Sequence, residues 1–431
     1  MHRPLRVIFV IQKLAGLPGG AERVLIDTAR SMAARGMQVE ILSYDRHAGP
    51  PAYDPSPVAV TSLFPMPPRL APSGRRADAQ ASYAQRSRIE MLIKAVPNLR
   101  LLTHLKWTVT HGLFAHKLRR ALRQRQPDVL VAFLPPAVTA AAWALRGLPT
   151  KQRPALIAST HNLPAEDFDD DSLRWDQNPL YRSRARAALA QAQAITILQP
   201  EFASWFPPAL HDRLVVMPNA VQRLSVATTQ FSVVSRQPII LAVGRLTKVK
   251  RYDLLIEAFA RIAPRLPDWR VVLYGEGDER ANLQARIAAL GLADRISLPG
   301  TTNQIAAHYN QAALLCHPSS FEGFGLSVAE AMVHGLPVVA FADCPGVNRL
   351  IQHEVNGLLL ASPATLAADF IGDNDLVAQL ADALERLAQD RALRQRLGVA
   401  AQSLAHRFAP ERIMQLWADL LESAAQAASK R

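Results

Sequence analysis

Cysteine and long uncharged stretches are both scarce in this sequence, and each shortage excludes a class of protein. Only two of the 431 residues are cysteine, Cys316 and Cys344, too few for a disulfide framework or a four-ligand zinc site. The uncharged and strongly apolar stretch at residues 129–145 has two adjacent prolines at its centre, where a helix in lipid would lose backbone hydrogen bonds. The N-terminal apolar run, Val7–Ile11, is shorter than the core of a signal peptide. We therefore expect a cytoplasmic protein without a transmembrane span.

Acidic residues are scarce in the first half of the chain. Residues 1–230 hold 29 Lys and Arg against 16 Asp and Glu, whereas residues 231–431 hold 20 of each, so the net charge of +13 belongs to the first half. The segment Arg69–Arg125 contains 13 basic and two acidic residues, with Trp107 and Phe114 interleaved among them. Two interpretations stay open for this segment: surface helices packed on a sheet, or a surface that contacts anionic membrane at the inner face of the cell.

Short apolar runs alternate with amphipathic stretches of helical length along the whole chain. This pattern predicts an α/β protein of two doubly wound, Rossmann-like domains, at residues 1–225 and 226–409, and a C-terminal helix in residues 410–431 that can pack back on the first domain. Residues 46–122, first proline-rich and then basic, are expected to form an irregular excursion followed by helix. The expected strands are residues 6–12, 39–45, 128–134, 155–160, 194–198, 214–219, 239–245, 269–277, 295–300, 313–319 and 337–341.

Glycines follow the first expected strand, in the sequence GLPGG that ends at Gly20. Such residues let a ligand approach the backbone closely, and the free N–H groups at the start of the next helix favour an anion. The pattern is not GxGxxG, so a dinucleotide cofactor is not expected. Gly19 and Gly20 are therefore candidate ligand-binding residues, and a plain turn is the alternative.

Cations cluster where the first strand of the second half ends. Arg245 closes an apolar run, and Lys248, Lys250 and Arg251 lie between it and the next helix. In a doubly wound sheet this is the carboxyl edge, where ligands bind. A cation at a strand end is well placed to neutralise a pyrophosphate, and a solvated loop is the alternative.

The most informative segment runs from His317 to Phe341. Glu322 precedes a Gly-Phe-Gly sequence, a helix is expected from Leu326, and Glu330 falls in its second turn. The amides of Gly325, Leu326 and Ser327 then point at a bound group. Carboxylates accept hydrogen bonds from sugar hydroxyls and amides donate to phosphate oxygens, so the segment suits a ligand that carries both.

These segments resemble the sequence signature of the retaining glycosyltransferases of family 4, which have the GT-B fold. The resemblance rests on FEGFGLSVAEAM, with Glu322 and Glu330 separated by seven residues, on VGRLTKVKRYDLLIEAF, and on PGGAERV, MPNAV, VLYGEGDER and NGLLL elsewhere. It covers both halves of the chain in the expected order, whereas residues 46–122 match nothing in the family. It implies two doubly wound Rossmann-like domains facing a central cleft.

The resemblance also implies roles for the residues of the second half. Arg245 and Lys250 would bind the donor diphosphate and stabilise the departing nucleotide. Glu322 would hold a hydroxyl of the donor sugar, and Glu330 would hold the ribose hydroxyls. These are the donor-binding and catalytic assignments that follow from matching motifs.

In the first half, the resemblance implies that the loop at Gly19-Gly20 closes over the diphosphate and that His161 contacts the donor sugar. The nucleotide sugar is then a substrate, with UDP favoured over GDP, and no cofactor is expected. The acceptor would be a glycan or a lipid-linked sugar of cell-surface polysaccharide or glycolipid synthesis. Retention without an enzymic nucleophile implies attack from the face that the leaving group vacates.

No acidic or histidine cluster suggests a bound metal, because the run Asp169–Asp171 is interpreted as part of a solvated loop. Two other functions stay open. A sugar-nucleotide epimerase could share the GT-B fold, and a basic protein could bind nucleic acid. Against the latter, the basic segment lacks the glycine-aromatic strands of an RNA-recognition module, so no nucleic-acid partner is expected.

Overall fold

The structure is a computed structural model that describes residues 3–16, 19–45, 49–64, 97–169, 179–223, 236–361 and 373–429, and only the backbone at residues 97–107, 179–180 and 373. The chain divides into two compact units. Unit 1 comprises residues 1–218 together with residues 411–431, and unit 2 comprises residues 219–410. The boundary between the units, at residues 218 and 219, precedes the expected one at residue 225.

Unit 1 is a parallel sheet of seven strands in the order β3-β2-β1-β4-β5-β6-β7. Its elements are β1 (Arg6–Ile11), α1 (Gly20–Ala34), β2 (Gln38–Ser43), β3 (Ala59–Ser62), α2 (Pro97–Arg125), β4 (Val129–Phe133), α3 (Leu134–Arg146), β5 (Ala155–Ser159), α4 (Pro164–Phe168), α5 (Pro179–Leu189), β6 (Ala194–Ile197) and β7 (Leu214–Val216). The C-terminal helix, here named α13 (Pro410–Ser429), lies almost entirely in this unit and buries Trp417 against Phe133.

Unit 2 is a parallel sheet of six strands in the order β10-β9-β8-β11-β12-β13. Its elements are β8 (Ile239–Val243), α6 (Tyr252–Ile262), β9 (Arg270–Tyr274), α7 (Arg280–Ala289), β10 (Ile296–Gly300), α8 (Ile305–Gln311), β11 (Leu314–His317), α9 (Leu326–Val333), β12 (Val338–Phe341), β13 (Leu358–Leu360), α10 (Asp373–Gln389), α11 (Arg391–Ala401) and α12 (Leu404–Arg407). The doubly wound α/β fold class is confirmed in both units.

The central strands are apolar along their whole length because helices cover both faces of each sheet. Every residue of β4 and of β5 is buried. Burial of a Val, Leu or Ile side chain contributes about 1.5–3 kcal/mol, so these runs supply much of the stabilisation of the core. This is also why the sequence predicts them well: all eleven expected strands form, with ends that differ by no more than three residues.

Two further strands, β3 and β13, form where the sequence did not predict a strand. The prolines at Gly49–Ser73 predict an irregular excursion, but β3 forms within it, paired with β2 from Glu40 opposite Ala59 to Ser43 opposite Ser62. Prolines flank this strand rather than interrupt it, and it lies at the edge of the sheet, where proline is tolerated. At the edge of the other sheet, β13 forms from the NGLLL segment.

The adjacent prolines Pro135 and Pro136 lie within a helix and not in the expected turn. A turn is expected between strand and helix, but α3 begins directly at Leu134, with the prolines in its first turn. A proline there loses no helix hydrogen bond, because the first N–H groups of a helix have no partner within it.

Each sheet has a point where the strand order reverses, between β1 and β4 in unit 1 and between β8 and β11 in unit 2. Ligands of open α/β sheets bind outside the carboxyl ends of the strands at this point. In unit 2 the loops that leave the two flanking strands are the Arg245 segment after β8 and the Glu322 segment after β11. The two motifs lie far apart in the chain, and the fold places them side by side.

Candidate active site

The loop after β8 holds Arg245 at the carboxyl edge of the unit 2 sheet. The Arg245 side chain is exposed, and among the described residues it has no hydrogen-bond or ion-pair partner. The backbone beside it is fixed, because the Leu246 amide donates to the Glu276 carbonyl at 3.0 Å. A Cβ at Gly277 would lie 2.1 Å from the Leu246 carbonyl oxygen, so only glycine permits this close approach of the two loops. A fixed backbone thus presents a guanidinium whose donors are available to a ligand.

Lys250 and Glu322 come together as an ion pair across the same edge. The Lys250 ammonium contacts Glu322 Oε1, and His317 Nε2 lies 2.9 Å from the same oxygen. The side chains of Lys250 and Glu322 are 13% and 19% exposed, and His317 is fully buried. Burial alone would raise the pKa of Glu322, but the Lys250 charge and the His317 hydrogen bond outweigh it and hold the pKa well below its usual range. Glu322 is therefore a carboxylate, ready to accept from a hydroxyl.

His317 is a member of this site that the sequence analysis missed. Burial lowers the pKa of His317, so its imidazole is neutral and donates from Nε2 to Glu322. A lone histidine at the end of an apolar strand gives no sequence signal, because such residues are commonly part of a core. The contact becomes visible only when β11 and the Glu322 loop are folded together.

The Gly-Phe-Gly sequence forms the entry to α9. Gly325 caps the helix with φ of +81°, in the left-handed region, and a Cβ there would lie 2.8 Å from Val347 Cγ2. Glycine is therefore required both by the backbone and by the space. The amides of Leu326 and Ser327 follow in the first turn of α9, where helix N–H groups lack partners within the helix. The structure thus places the Gly325–Ser327 amides on the same loop as Glu322.

Glu330 is buried in the second turn of α9, with only 6% of its surface exposed. The hydroxyl of Tyr309, a fully buried residue of α8, donates to Glu330 Oε2 at 3.2 Å. The sequence analysis missed Tyr309, which stands 21 residues away with no motif of its own. The Tyr309 contact fixes one oxygen of the carboxylate.

In unit 1, Gly19 caps α1 and Gly20 begins it, as the motif predicts. The side chain of Glu22 folds back over this end, since a Cβ at Gly19 would lie 2.0 Å from Glu22 Oε2. A carboxylate there already interacts favourably with the positive end of the helix. Any anion that binds to this turn must therefore displace Glu22 from its present position.

His161 follows β5 and is held on two sides. Its ring stacks on Phe133, with centroids 4.5 Å apart and an interplanar angle of 16°, and its Nε2 lies 2.9 Å from Ser159 Oγ. Burial lowers the pKa of His161 to about 3, so the imidazole is neutral at physiological pH. Within the described part of the chain, its Nδ1 is buried without a hydrogen-bond partner. A neutral, oriented imidazole suits hydrogen bonding to a sugar better than a charged role.

We expect His161 to make the protein less stable in acid. Its ordinary pKa of 6.5 applies to the unfolded chain and about 3 to the folded one, so between these values only the unfolded state takes up the proton. In that window the free energy of unfolding falls by up to about 1.4 kcal/mol for each unit of decreasing pH. Urea unfolding of the wild type and His161→Asn at pH 7 and pH 5 should show a shallower pH dependence in the variant, and parallel profiles would contradict the assignment.

One acidic residue differs from its sequence interpretation as solvated. The Asp169 carboxylate accepts the indole N–H of Trp205 at 2.9 Å, which ties the end of α4 to a turn before β7. Asp170 and Asp171 lie outside the described residues. In the part of the chain that the structure describes, no group of three or more His, Cys, Asp or Glu side chains is placed to hold a metal ion.

Part of the basic segment, Arg69–Arg125, is described by the structure, and several of its side chains pack on unit 1. Residues 69–96 and the side chains of residues 97–107, including Trp107, lie outside the described set. Of the rest, Phe114 is fully buried and stacks on Tyr44, so the idea that it reaches a membrane is wrong. Arg119 donates to the carbonyls of Trp143 and Ala144, and Arg125 forms a bidentate pair with Glu40. These two arginines hold α2 on unit 1.

Comparison with known proteins agrees with the geometry of both units. The model of Glycosyltransferase Family 4 matches residues 18–223, and that of Glycosyl transferases group 1 matches residues 228–404. The chain is therefore similar to glycosyltransferases in each of its two units. It has the GT-B fold, as two solved structures show. HepE of Anabaena in complex with UDP and glucose superposes with a TM-score of 0.67 and 21% identity, over 97% of this chain and 100% of that chain. Sucrose-phosphate synthase of Thermosynechococcus elongatus superposes with a TM-score of 0.72 and 19% identity, over 98% of this chain and 100% of that chain.

Curated relatives match over part of their length. An uncharacterized glycosyltransferase of Haemophilus influenzae is 30% identical over 182 residues, which are 42% of this chain and 48% of the relative. The lipopolysaccharide core biosynthesis mannosyltransferase LpsB of Rhizobium meliloti is 33% identical over 165 residues, 35% of this chain and 47% of that protein. The chain thus spans about half the length of these two relatives. Among the described residues, no helix combines the length and apolar character that a membrane span needs.

Proposed function

We propose that this protein is a retaining, metal-independent glycosyltransferase that uses a nucleotide-sugar donor, with UDP favoured over GDP. One observation carries the proposal. The strand-order reversal of unit 2 brings four groups to one sheet edge from segments 85 residues apart: the exposed guanidinium of Arg245, the ionised carboxylate of Glu322, the N-terminus of α9 and the buried carboxylate of Glu330. Solved structures of the same fold, HepE among them, contain UDP, which supports the choice of base.

The chemistry assigned to these residues follows from their charges. Departure of the sugar from the diphosphate builds negative charge on the leaving group, and preorganised donors aimed at that charge lower the barrier most. Arg245 and the amides of Leu326 and Ser327 supply such donors. Lys250 supplies a further charge once the diphosphate competes with Glu322 for its ammonium. Glu322 then accepts from a hydroxyl of the sugar, and Glu330 accepts from the ribose.

The proposal assigns His161 a hydrogen bond to the donor sugar and Gly19-Gly20 an approach to the diphosphate. The acceptor is a glycan or a lipid-linked sugar, deprotonated by a phosphate oxygen of the leaving group as it attacks from the vacated face. Relatives named for lipopolysaccharide core and exopolysaccharide chemistry support a place in cell-surface polysaccharide or glycolipid synthesis. We further propose a cytoplasmic location, peripheral at the anionic inner face of the membrane.

A thermal-shift screen tests the donor assignment. UDP-sugars should raise the melting temperature, since a ligand at 100 times its dissociation constant stabilises the fold by about 2.7 kcal/mol, and GDP-sugars and ADP-sugars should raise it less. Arg245→Ala should abolish the shift while melting normally without ligand. A chain that no nucleotide sugar stabilises would contradict the proposal, and product analysis with and without an acceptor separates transferase from epimerase.

We expect activity to survive EDTA. The positive charge that stabilises the leaving diphosphate comes from Arg245, Lys250 and the α9 N-terminus, so a divalent cation has no required task there. Turnover in saturating EDTA should stay within about twofold of that without chelator. An absolute requirement for Mg²⁺ or Mn²⁺ in the same assay would show that the donor site is assigned wrongly.

A further inference from the structure

Unit 1 contains a pocket that none of the assignments above uses. It has a volume of about 310 Å³ and is lined by Thr108 of α2, Trp143 and Arg146 of α3, and Arg184 and Ala187 of α5. Since α3 starts at the carboxyl end of β4 and Arg146 is its last residue, Arg146 lies toward the opposite edge of the sheet from His161 and Gly20. The pocket is therefore distinct from the candidate active site.

Two guanidinium groups are oriented in this pocket. Arg184 lies over the Trp143 ring, 5.4 Å from its centroid, and donates to Thr108 Oγ1 at 3.0 Å. Arg146 is exposed and donates from Nε to Gln191 Oε1 at 3.0 Å. A planar guanidinium presents paired N–H groups that match the oxygens of a phosphate, and holding it in place reduces the entropy lost on binding.

The three helices that line the pocket contain basic residues and no acidic ones. Seven Lys and Arg lie on α2, one on α3 and three on α5, and none of the three helices contains an Asp or Glu. Such a surface attracts anions over a distance of about one Debye length. The ligand that fits the lining is accordingly anionic, with oxygen atoms that a guanidinium can bind.

Two exposed apolar residues of α2, which follow the pocket residue Thr108 in the chain and are here called the apolar rim, indicate which anion fits. Val109 and Leu113 are 51% and 47% exposed, one helical turn apart on α2, and Val109 is adjacent to Thr108. The exposed positions continue along the same face with His116, Arg120 and Arg123. Exposed apolar side chains with basic residues close by can enter a membrane interface while the cations contact anionic headgroups. A soluble phosphate would have no use for the apolar rim.

We propose that this pocket binds the phosphate of an anionic phospholipid headgroup while Val109 and Leu113 enter the acyl region. The proposal rests on the membrane partner of the proposed function, and it assigns that contact to α2, α3 and α5. It requires neither donor nor acceptor, so it can fail or succeed independently of transferase activity.

Co-sedimentation of the full-length protein with phosphatidylcholine vesicles, with and without phosphatidylglycerol, tests the pocket. The wild type should bind the anionic vesicles, and Arg146→Gln with Arg184→Gln should weaken binding by about tenfold or more. The matched control, Arg412→Gln with Arg270→Gln, removes the same charge at two exposed positions elsewhere and should stay within about twofold of wild type. Equal binding by the pocket pair and the control pair would overturn the proposal.

Two further measurements identify the source of the phosphate. Val109→Ser with Leu113→Ser should weaken vesicle binding while lowering the melting temperature only slightly, because about half of each side chain is exposed. If instead this pair binds vesicles as wild type does, and calorimetry shows inorganic phosphate binding that depends on Arg184, the ligand is a soluble phosphate and the lipid assignment is wrong. Should Arg184→Gln unfold the protein, the exposed Arg146→Gln alone still decides the outcome.

Discussion

Replacement of Arg245 by alanine should lower kcat by about 10²–10³ and leave the melting temperature unchanged. This loss corresponds to an increase in activation free energy of about 2.7–4 kcal/mol, the cost of removing one preorganised donor to a developing anion. The absence of a stability effect follows because the side chain is exposed and, within the described residues, has no hydrogen-bond or ion-pair partner. Steady-state kinetics with purified variants and a thermal melt of each measure both quantities.

Lys248 supplies the matched control for Arg245. It is an exposed cation of the same loop, three residues further along, in the short 3₁₀ turn before α6. Lys248→Ala should keep kcat within about threefold of wild type, because removal of a solvated charge changes a screened potential only. Equal losses in the two variants would indicate a general effect of loop charge, and full activity of Arg245→Ala would remove Arg245 from the site.

Replacement of Lys250 by alanine should cost both activity and stability. It leaves the Glu322 carboxylate mostly buried without its cation, which should lower the free energy of unfolding by about 2–3 kcal/mol, less than for a fully buried pair because both side chains keep some exposure. The loss of kcat should again be about 10²–10³. Urea unfolding and kinetics on the same preparation separate the two effects.

The Lys250→Ala, Glu322→Ala double variant tests whether stability and activity are separable. Removing both partners leaves no unpaired charge, so the double variant should regain most of the lost stability and none of the activity. The pKa of Glu322 is depressed in the folded protein, so its contribution to stability is present above the ordinary carboxyl pKa and is lost as the pH falls through the depressed value. In Lys250→Ala the buried carboxylate has lost its cation, so the stability deficit relative to wild type should shrink as the pH falls and Glu322 becomes protonated. Retained activity in the double variant would refute the catalytic assignment.

The sequence predicts the fold well where burial dictates residue type. Strands covered on both faces must be apolar along their length, and β4 and β5 are visible for that reason. The edge strand β3 escapes detection because its neighbouring prolines argue against a strand, and only pairing with β2 stabilises it. Likewise, the prolines at the start of α3 indicate a break until their position in the first turn is known.

The sequence predicts the site residues that belong to a motif. It does not predict the residues that contact and orient them. Arg245, Glu322 and Glu330 occur in segments whose combination is specific. His317 and Tyr309 act by touching these carboxylates across the fold, and nothing in their local sequence marks a contact that depends on loop packing. Phe114 is a further example, because an aromatic residue among cations can face either the core or the solvent, and only the structure shows that Phe114 is buried.

The most direct test of the account is a crystal structure of the protein with UDP. We expect diphosphate oxygens within hydrogen-bond distance of Arg245 and of the Leu326 and Ser327 amides, and ribose hydroxyls within hydrogen-bond distance of Glu330. We also expect Lys250 to turn from Glu322 toward the phosphate. A nucleotide bound elsewhere, or a ribose away from Glu330 while Lys250 stays on Glu322, would contradict it.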